Sequence, residues 1–107
     1  MAAANDLIHQ QMRLRIMATL NALHKGETME FTRLRNILQA TDGNLGTHLN
    51  TLEGAGYLEI IKEFADRKPR SLIRLTRAGK TAFEDHVRYL REILEGPPAV
   101  SSAARRT

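Results

Sequence analysis

The chain has 107 residues and no cysteine, and its 16 Lys+Arg against 12 Asp+Glu give a formal net charge of +4. The length suits a single domain, and 42% hydrophobic content is that of ordinary globular chains rather than disordered or fibrous ones. The missing cysteines exclude disulfides, cysteine-ligated zinc and cysteine nucleophiles, and the apolar runs are too short to cross a membrane. Met1 to Asp6 lacks the basic start and apolar core of a secretory signal, so the cytoplasm is the expected location. A pI near 10.0 points to a polyanionic partner.

In chain order, the first expected element is a helix from Asn5 to about His24. Asn5 or Asp6 caps it, and Ile8, Met12, Ile16, Leu20 and Leu23 recur at helical spacing. Leu7, Leu14 and Met17 widen the stripe toward a second apolar neighbour, and Lys25-Gly26 is a stop signal. Glu27 to Phe31 is a short extended piece. Thr32 then caps a brief helix to about Gln39, with Leu34, Ile37 and Leu38 inward and Arg33, Arg35 and Asn36 outward. Thr41 caps a third helix running to about Ala55 and stopped by Gly56, with Leu45, Leu49 and Leu52 inward. Two short helices across a tight turn form a helix-turn-helix pattern.

After Gly56 the period changes to two. Leu58, Ile60, Lys62 and Phe64 share one strand face, and Glu59, Ile61 and Glu63 the other. Ala65 to Ser71 (ADRKPRS) reads as a charged loop, and Leu72 to Leu75 as the returning strand of a hairpin. Thr76 caps a last helix whose apolar side is Ala82, Phe83, Val87, Leu90, Ile93 and Leu94. Gly96-Pro97-Pro98 ends it, leaving one domain over 5–95 and a flexible tail over 96–107. The expected class is mainly α with a β-hairpin wing, an α+β winged helix-turn-helix with a long terminal helix.

The stretch FTRLRNILQATDGNLGTHLNTLEGAGYLEIIKEFADRKPRSLIRLTRAGKTAF resembles the winged-helix transcriptional regulators of the MarR/ArsR type, in their small single-domain branch. The likeness runs from about Arg13 to Leu94 and joins TDGNL, HL, GY, RKPR and LTRAG in order. It implies a DNA-binding regulator that works as a homodimer on a palindromic site in double-stranded DNA. It also implies that the helix at about 41–56 reads the major groove while the wing at 65–71 engages phosphates or the minor groove.

On that helix Thr41, Gly43, Asn44, Thr47, His48, Asn50 and Thr51 are left outward once the leucines are buried. Asn matches adenine's N6 and N7 in one plane, and Thr offers a hydroxyl and a methyl; Asn44, Thr47 and Asn50 are the expected base readers, with His48 and Thr51 nearer the backbone. Gly43 and Gly46 are poor helix formers, tolerated for close approach to phosphate or, at Gly46, for tight helix packing. Asp42 suits the helix dipole and repels phosphate, so it is structural. In the wing, Arg67, Lys68 and Arg70 face one opposing charge, Asp66, and Pro69 stiffens the segment. Arg33 and Arg35 lie about 200° apart on a helix, so at most one faces DNA; Lys62 or Arg74 could add a phosphate contact.

Ile8, Met12, Phe83, Val87, Leu90, Ile93 and Leu94 are the expected dimer interface, offered by the first and last helices. No cofactor is expected, nor a metal: His9, His24, His48 and His86 are scattered, and His86 and Asp85 point apart on a helix; His86 is expected to be a partly buried interface residue or a surface one. No nucleophile motif, phosphate loop or acid-base carboxylate pair supports an enzyme. Two alternatives remain open, a winged-helix protein-interaction module and a nonspecific architectural DNA binder. The effector, small molecule or protein, is not identified, and a small molecule would have to bind at the dimer interface.

Overall fold

The computed structural model describes residues 4–96. The expected tail therefore lies outside the described residues except for Gly96, which ends the last helix at φ +74°. The elements are α1 (Asp6–His9), α2 (Gln11–Asn21), β1 (Met29–Glu30), α3 (Phe31–Leu38), α4 (Asp42–Gly54), β2 (Leu58–Ala65), β3 (Lys68–Leu75) and α5 (Arg77–Glu95). Among the described residues the strands form an antiparallel sheet in the order β1-β3-β2, with Met29 opposite Ile73 and Leu58 opposite Leu75. This is the expected winged helix, with the β2–β3 hairpin as the wing.

The core forms where apolar stripes converge. α2 contributes Ile16, Met17 and Leu20, α3 contributes Leu34 and Leu38, and α4 contributes Leu45, Leu49 and Leu52. Leu58 and Ile73 close the core from the sheet, and Phe83 from α5. Burying α4's three leucines turns its opposite face outward.

Four local expectations are corrected. The first helix is broken at Gln10, which is extended (ψ 132°) and whose side chain accepts the Arg13 N–H, capping α2. Asn5 caps α1 as expected, accepting the Ile8 N–H at 3.0 Å. Both pieces keep their apolar residues inward, so the periodicity carries no trace of the break. α3 starts earlier than expected: Glu30 of β1 is its N-cap residue, with no side-chain cap bond, while the Thr32 hydroxyl donates to Glu30 Oε1. Ile37, expected inward, is 47% exposed. Finally, the wing loop shrinks to Asp66-Arg67, because Lys68, Pro69 and Arg70 pair with Ala65, Phe64 and Glu63. Both turn residues have positive φ, +52° and +64°, as two-residue type I′ hairpin turns require.

α5 is anchored at its start. Thr76 accepts the Gly79 N–H as a cap and donates its hydroxyl to Gly56 O, and its N–H bonds Tyr57 O at 3.1 Å. The turn that ends α4 and the start of α5 are thereby one hydrogen-bonded unit.

Candidate nucleic-acid interface

α4 is capped by Thr41, whose side chain accepts the Asn44 N–H at 3.1 Å, so that hydroxyl oxygen already serves the helix. Asn44, Thr47, Asn50 and Thr51 are exposed, and Leu45, Leu49 and Leu52 are at most 1% exposed. The threonine hydroxyls donate inward, Thr47 to Gly43 O and Thr51 to Thr47 O. Their protons are not free for phosphate. What Thr47 and Thr51 present outward is a methyl group and an acceptor oxygen, whereas Asn44 and Asn50 carry the face's amide donors.

His48 is half-buried and tethered, since an Arg13 guanidinium nitrogen lies 3.2 Å from its Nδ1. Burial first, then the Arg13 charge, hold its imidazole below the ordinary value, so the ring is neutral near pH 7. A Cβ placed on Gly43 or Gly46 would meet nothing within 4 Å. The packing reason expected for Gly46 is therefore corrected: the chain leaves open space beside both glycines.

The basic residues divide into engaged and free. Arg35 bonds Asp42 at 2.7 Å, which gives Asp42 its structural role, while Arg33 is exposed and has no ion pair among the described residues. In the wing, Glu63 and Glu30 hold Arg70, at 2.5 and 3.8 Å, and Glu59 holds Arg74 at 3.0 Å. Exposed ion pairs of this kind contribute about 0–1 kcal/mol each, so they record where these guanidinium groups rest. Lys62, Arg67 and Lys68 are exposed with no ion pair among the described residues. Cross-strand pairing sorts the hairpin by face. Glu59–Arg74 and Glu63–Arg70 share one side, while Lys62 and Phe64 lie on the other with Ser71 and Pro69 as partners.

Phe64, read from the sequence only as a strand position, is 77% exposed beside the turn. Its place on the strand face of Leu58, Ile60 and Lys62 was the available signal, since Lys62 already marks that face leaving the core beyond Ile60.

The residues expected at a dimer interface are split. Ile8 is fully buried and Phe83 is 9% exposed, so both belong to the core of this chain itself, a correction to their expected place at a dimer interface. Met12 and Val87 are partly buried against that core, and Leu90 is half-buried. Ile93 and Leu94 stand out at 59% and 83% exposure. His86, expected at an interface or the surface, is fully buried.

Among the described residues no group of three or more His, Cys, Asp or Glu is placed to hold a metal, and no helix is long and apolar enough to cross a membrane.

Residues 12–94 match the model of a family described as a winged helix DNA-binding domain. An uncharacterized protein of Methanocaldococcus jannaschii is 35% identical over 89 residues, covering 83% of this chain and 90% of that protein. The solved structure of a transcriptional regulator homologue from Pyrococcus horikoshii superimposes with a TM-score of 0.76 at 28% identity, over 84% of this chain and 86% of that one. A MarR family transcriptional regulator from Silicibacter pomeroyi shares the fold, with a TM-score of 0.59 at 20% identity, over 92% of this chain and 66% of that one.

Proposed function

Because the chain belongs to the family of winged helix DNA-binding domains, we propose that it is a sequence-specific transcriptional regulator that binds DNA as a homodimer in the cytoplasm, through one domain over 5–95. α4 enters the major groove and reads bases with Asn44 and Asn50, aided by the Thr47 methyl. Arg67 and Lys68 at the wing turn, with Lys62 and Arg33, meet phosphates or the minor groove. The observation that carries this reading is the charge partition. The hairpin's Glu59 and Glu63 are taken up by Arg74 and Arg70, so its free charges are three cations against Asp66, beside a helix face of exposed amides.

The test is selection of random duplex DNA on the purified chain at about 150 mM salt, a concentration at which nonspecific phosphate binding is weakened. A two-fold symmetric motif with half-sites about one helical turn apart is the expected result. Retained DNA without enrichment would replace specific reading by architectural binding, and no retained DNA would favour the protein-interaction module. On the recovered site, Asn44→Ala is expected to relax preference at one operator position by about 1–3 kcal/mol. Unchanged preference at every position would remove Asn44 from base reading.

The dimer is supported by the apolar end of α5, where Leu90, Ile93 and Leu94 continue beyond the protomer's own core. The expected mass in solution is twice the 12.1 kDa of one chain. Leu94→Lys, a change at an exposed position, should return it to the single-chain value, whereas an unaltered mass would exclude this face.

A further inference from the structure

His86, on the buried side of α5, is fully enclosed, and both of its ring nitrogens are bonded. Its Nδ1 accepts the backbone N–H of Asn5 at 3.1 Å, and its Nε2 lies 3.2 Å from His9 Nδ1 of α1. A backbone N–H can only donate, so His86 Nδ1 carries no proton and the ring's proton sits on Nε2. That proton points at His9 Nδ1, which must be the acceptor. The His86 ring is therefore neutral and in a fixed tautomer, and the two rings meet edge to face with centroids 5.2 Å apart.

The arrangement has no place for another proton. A proton gained by His86 lands on Nδ1 and sets a donor against the Asn5 N–H. A proton gained by His9 on Nδ1 sets a donor against the His86 Nε2–H. Either event breaks a link between α1 and α5.

Asn5 passes the break on. Its Oδ1 caps α1 through the Ile8 N–H, and its Nδ2 donates to the Tyr57 hydroxyl at 3.0 Å. Tyr57 lies in the turn that ends α4, where its N–H bonds Leu52 O and its own carbonyl receives Thr76. The histidine pair is thus two hydrogen bonds from the turn that ends the candidate reading helix. We propose that the proton is a regulatory ligand of this chain: protonation of the His9–His86 pair releases α1 from α5, loosens the turn behind α4 and weakens DNA binding. The last step rests on the DNA-binding reading above, and the release of α1 does not.

The groups facing His86 are Asp6 and His9 from α1, Tyr57 by way of Asn5, and Tyr89 stacked on it from α5 at 5.7 Å. Burial, and next the charge of His9, hold its imidazole below the ordinary 6.5, while Asp6 opposes the shift. The folded chain thus takes up this proton less readily than the unfolded one. The stability tied to His86 is fully present above pH 6.5 and is lost as pH falls from there toward the lower folded value.

The test follows the His86 ring and the Asn5 amide by NMR on the DNA-free native chain between about pH 5 and 8, with affinity for the selected duplex measured alongside. The Asn5 amide should follow the His86 titration, and the duplex should bind about tenfold more weakly once the pair is protonated. His86→Asn keeps an acceptor near the position of Nδ1 but cannot gain the proton, so both responses should vanish. The titration of His48 is common to both chains and cancels in this comparison.

Should His86→Asn not fold, His9→Asn serves. It changes an exposed residue, keeps an acceptor for His86 Nε2–H, and removes a like charge, so the Asn5 transition should move to higher pH. An Asn5 amide indifferent to the His86 titration, or a transition unmoved in His9→Asn, would overturn the inference. So would equal pH dependence of binding in the native chain and His86→Asn. Absence of DNA binding at every pH would instead sink the DNA reading, with the Asn5 amide still reporting on the release of α1.

Discussion

Gly79→Ala is expected to destabilise the fold by about 3 kcal/mol or more, since among Gly26, Gly43, Gly46, Gly54, Gly56 and Gly79 only Gly79 has atoms within 4 Å of an added Cβ. Gly79 is buried in the first turn of α5, and a Cβ built on it would lie 1.8 Å from Tyr57 O and 2.7 Å from Tyr57 C. The atoms it meets are backbone, so no rotamer change relieves the overlap. Tyr57 O is itself held by the Thr76 N–H, and the Tyr57 N–H by Leu52 O. To admit the methyl, α5 must move off the turn, and the Thr76 bonds to Tyr57 and Gly56 are lost with it.

Helix propensity alone predicts the opposite sign, since alanine exceeds glycine by about 1 kcal/mol in a helix interior. The two arguments can therefore be separated by the direction of the change. Urea unfolding of the variant beside the native chain decides the matter, and a midpoint equal to or above the native one would mean that α5 does not approach the turn this closely. Gly46→Ala is the internal comparison. A Cβ there has open space, so propensity acts alone and stability should rise by about 1 kcal/mol.

The same contrast explains what could be read from the sequence. The faces of α4 were legible because three leucines at helical spacing dictate which side is buried, whatever packs against them. The caps at Asn5, Thr41 and Thr76 were legible because a short polar side chain before an apolar stripe favours capping, whereas Thr32, read the same way, donates to Glu30 instead. The motif LTRAG was visible as a string, but the reason for its glycine is a contact with Tyr57, 22 positions earlier, and no local pattern encodes that.

His86 was misplaced for a related reason. A histidine on an apolar stripe reads as a polar interruption, and only the chain's return of Asn5 and His9 to its two nitrogens makes it a core residue. The wing failed differently. ADRKPRS carries four charges and a proline, which outweighed the strand signal, and Asp-Arg is not the Asn-Gly that announces a two-residue turn. Pro69 is tolerated because β1 pairs with β3 only at Ile73 and Leu72, leaving an open edge at that level.

The wing turn supports the second large prediction, in which one substitution moves stability and DNA affinity in opposite directions. Arg67 has φ +64°, a conformation that costs an L residue roughly 1–2 kcal/mol and glycine almost nothing. Arg67→Gly is therefore expected to raise stability by about 1 kcal/mol. It also removes a wing cation without an ion pair among the described residues, so affinity for the selected duplex should fall and the slope of log affinity against log salt become shallower by about 0.9. Arg70 was expected to share this role, but Glu63 and Glu30 already hold its guanidinium, which moves the weight to the turn.

Asp66→Asn completes the pair. It occupies the other left-handed position, at φ +52°, where asparagine is tolerated best after glycine. It also removes a negative charge from the proposed DNA-facing turn, so stability and affinity should both increase. Thermal unfolding and duplex titrations at two salt concentrations measure all four quantities. The turn geometry alone requires the positive φ at Arg67, as at Asp66, so only the binding measurement distinguishes a contact residue from a turn residue. If Arg67→Gly stabilised the fold and left the affinity and its salt slope unchanged, the strain would have no counterpart in binding, and the wing turn would be excluded from the DNA interface.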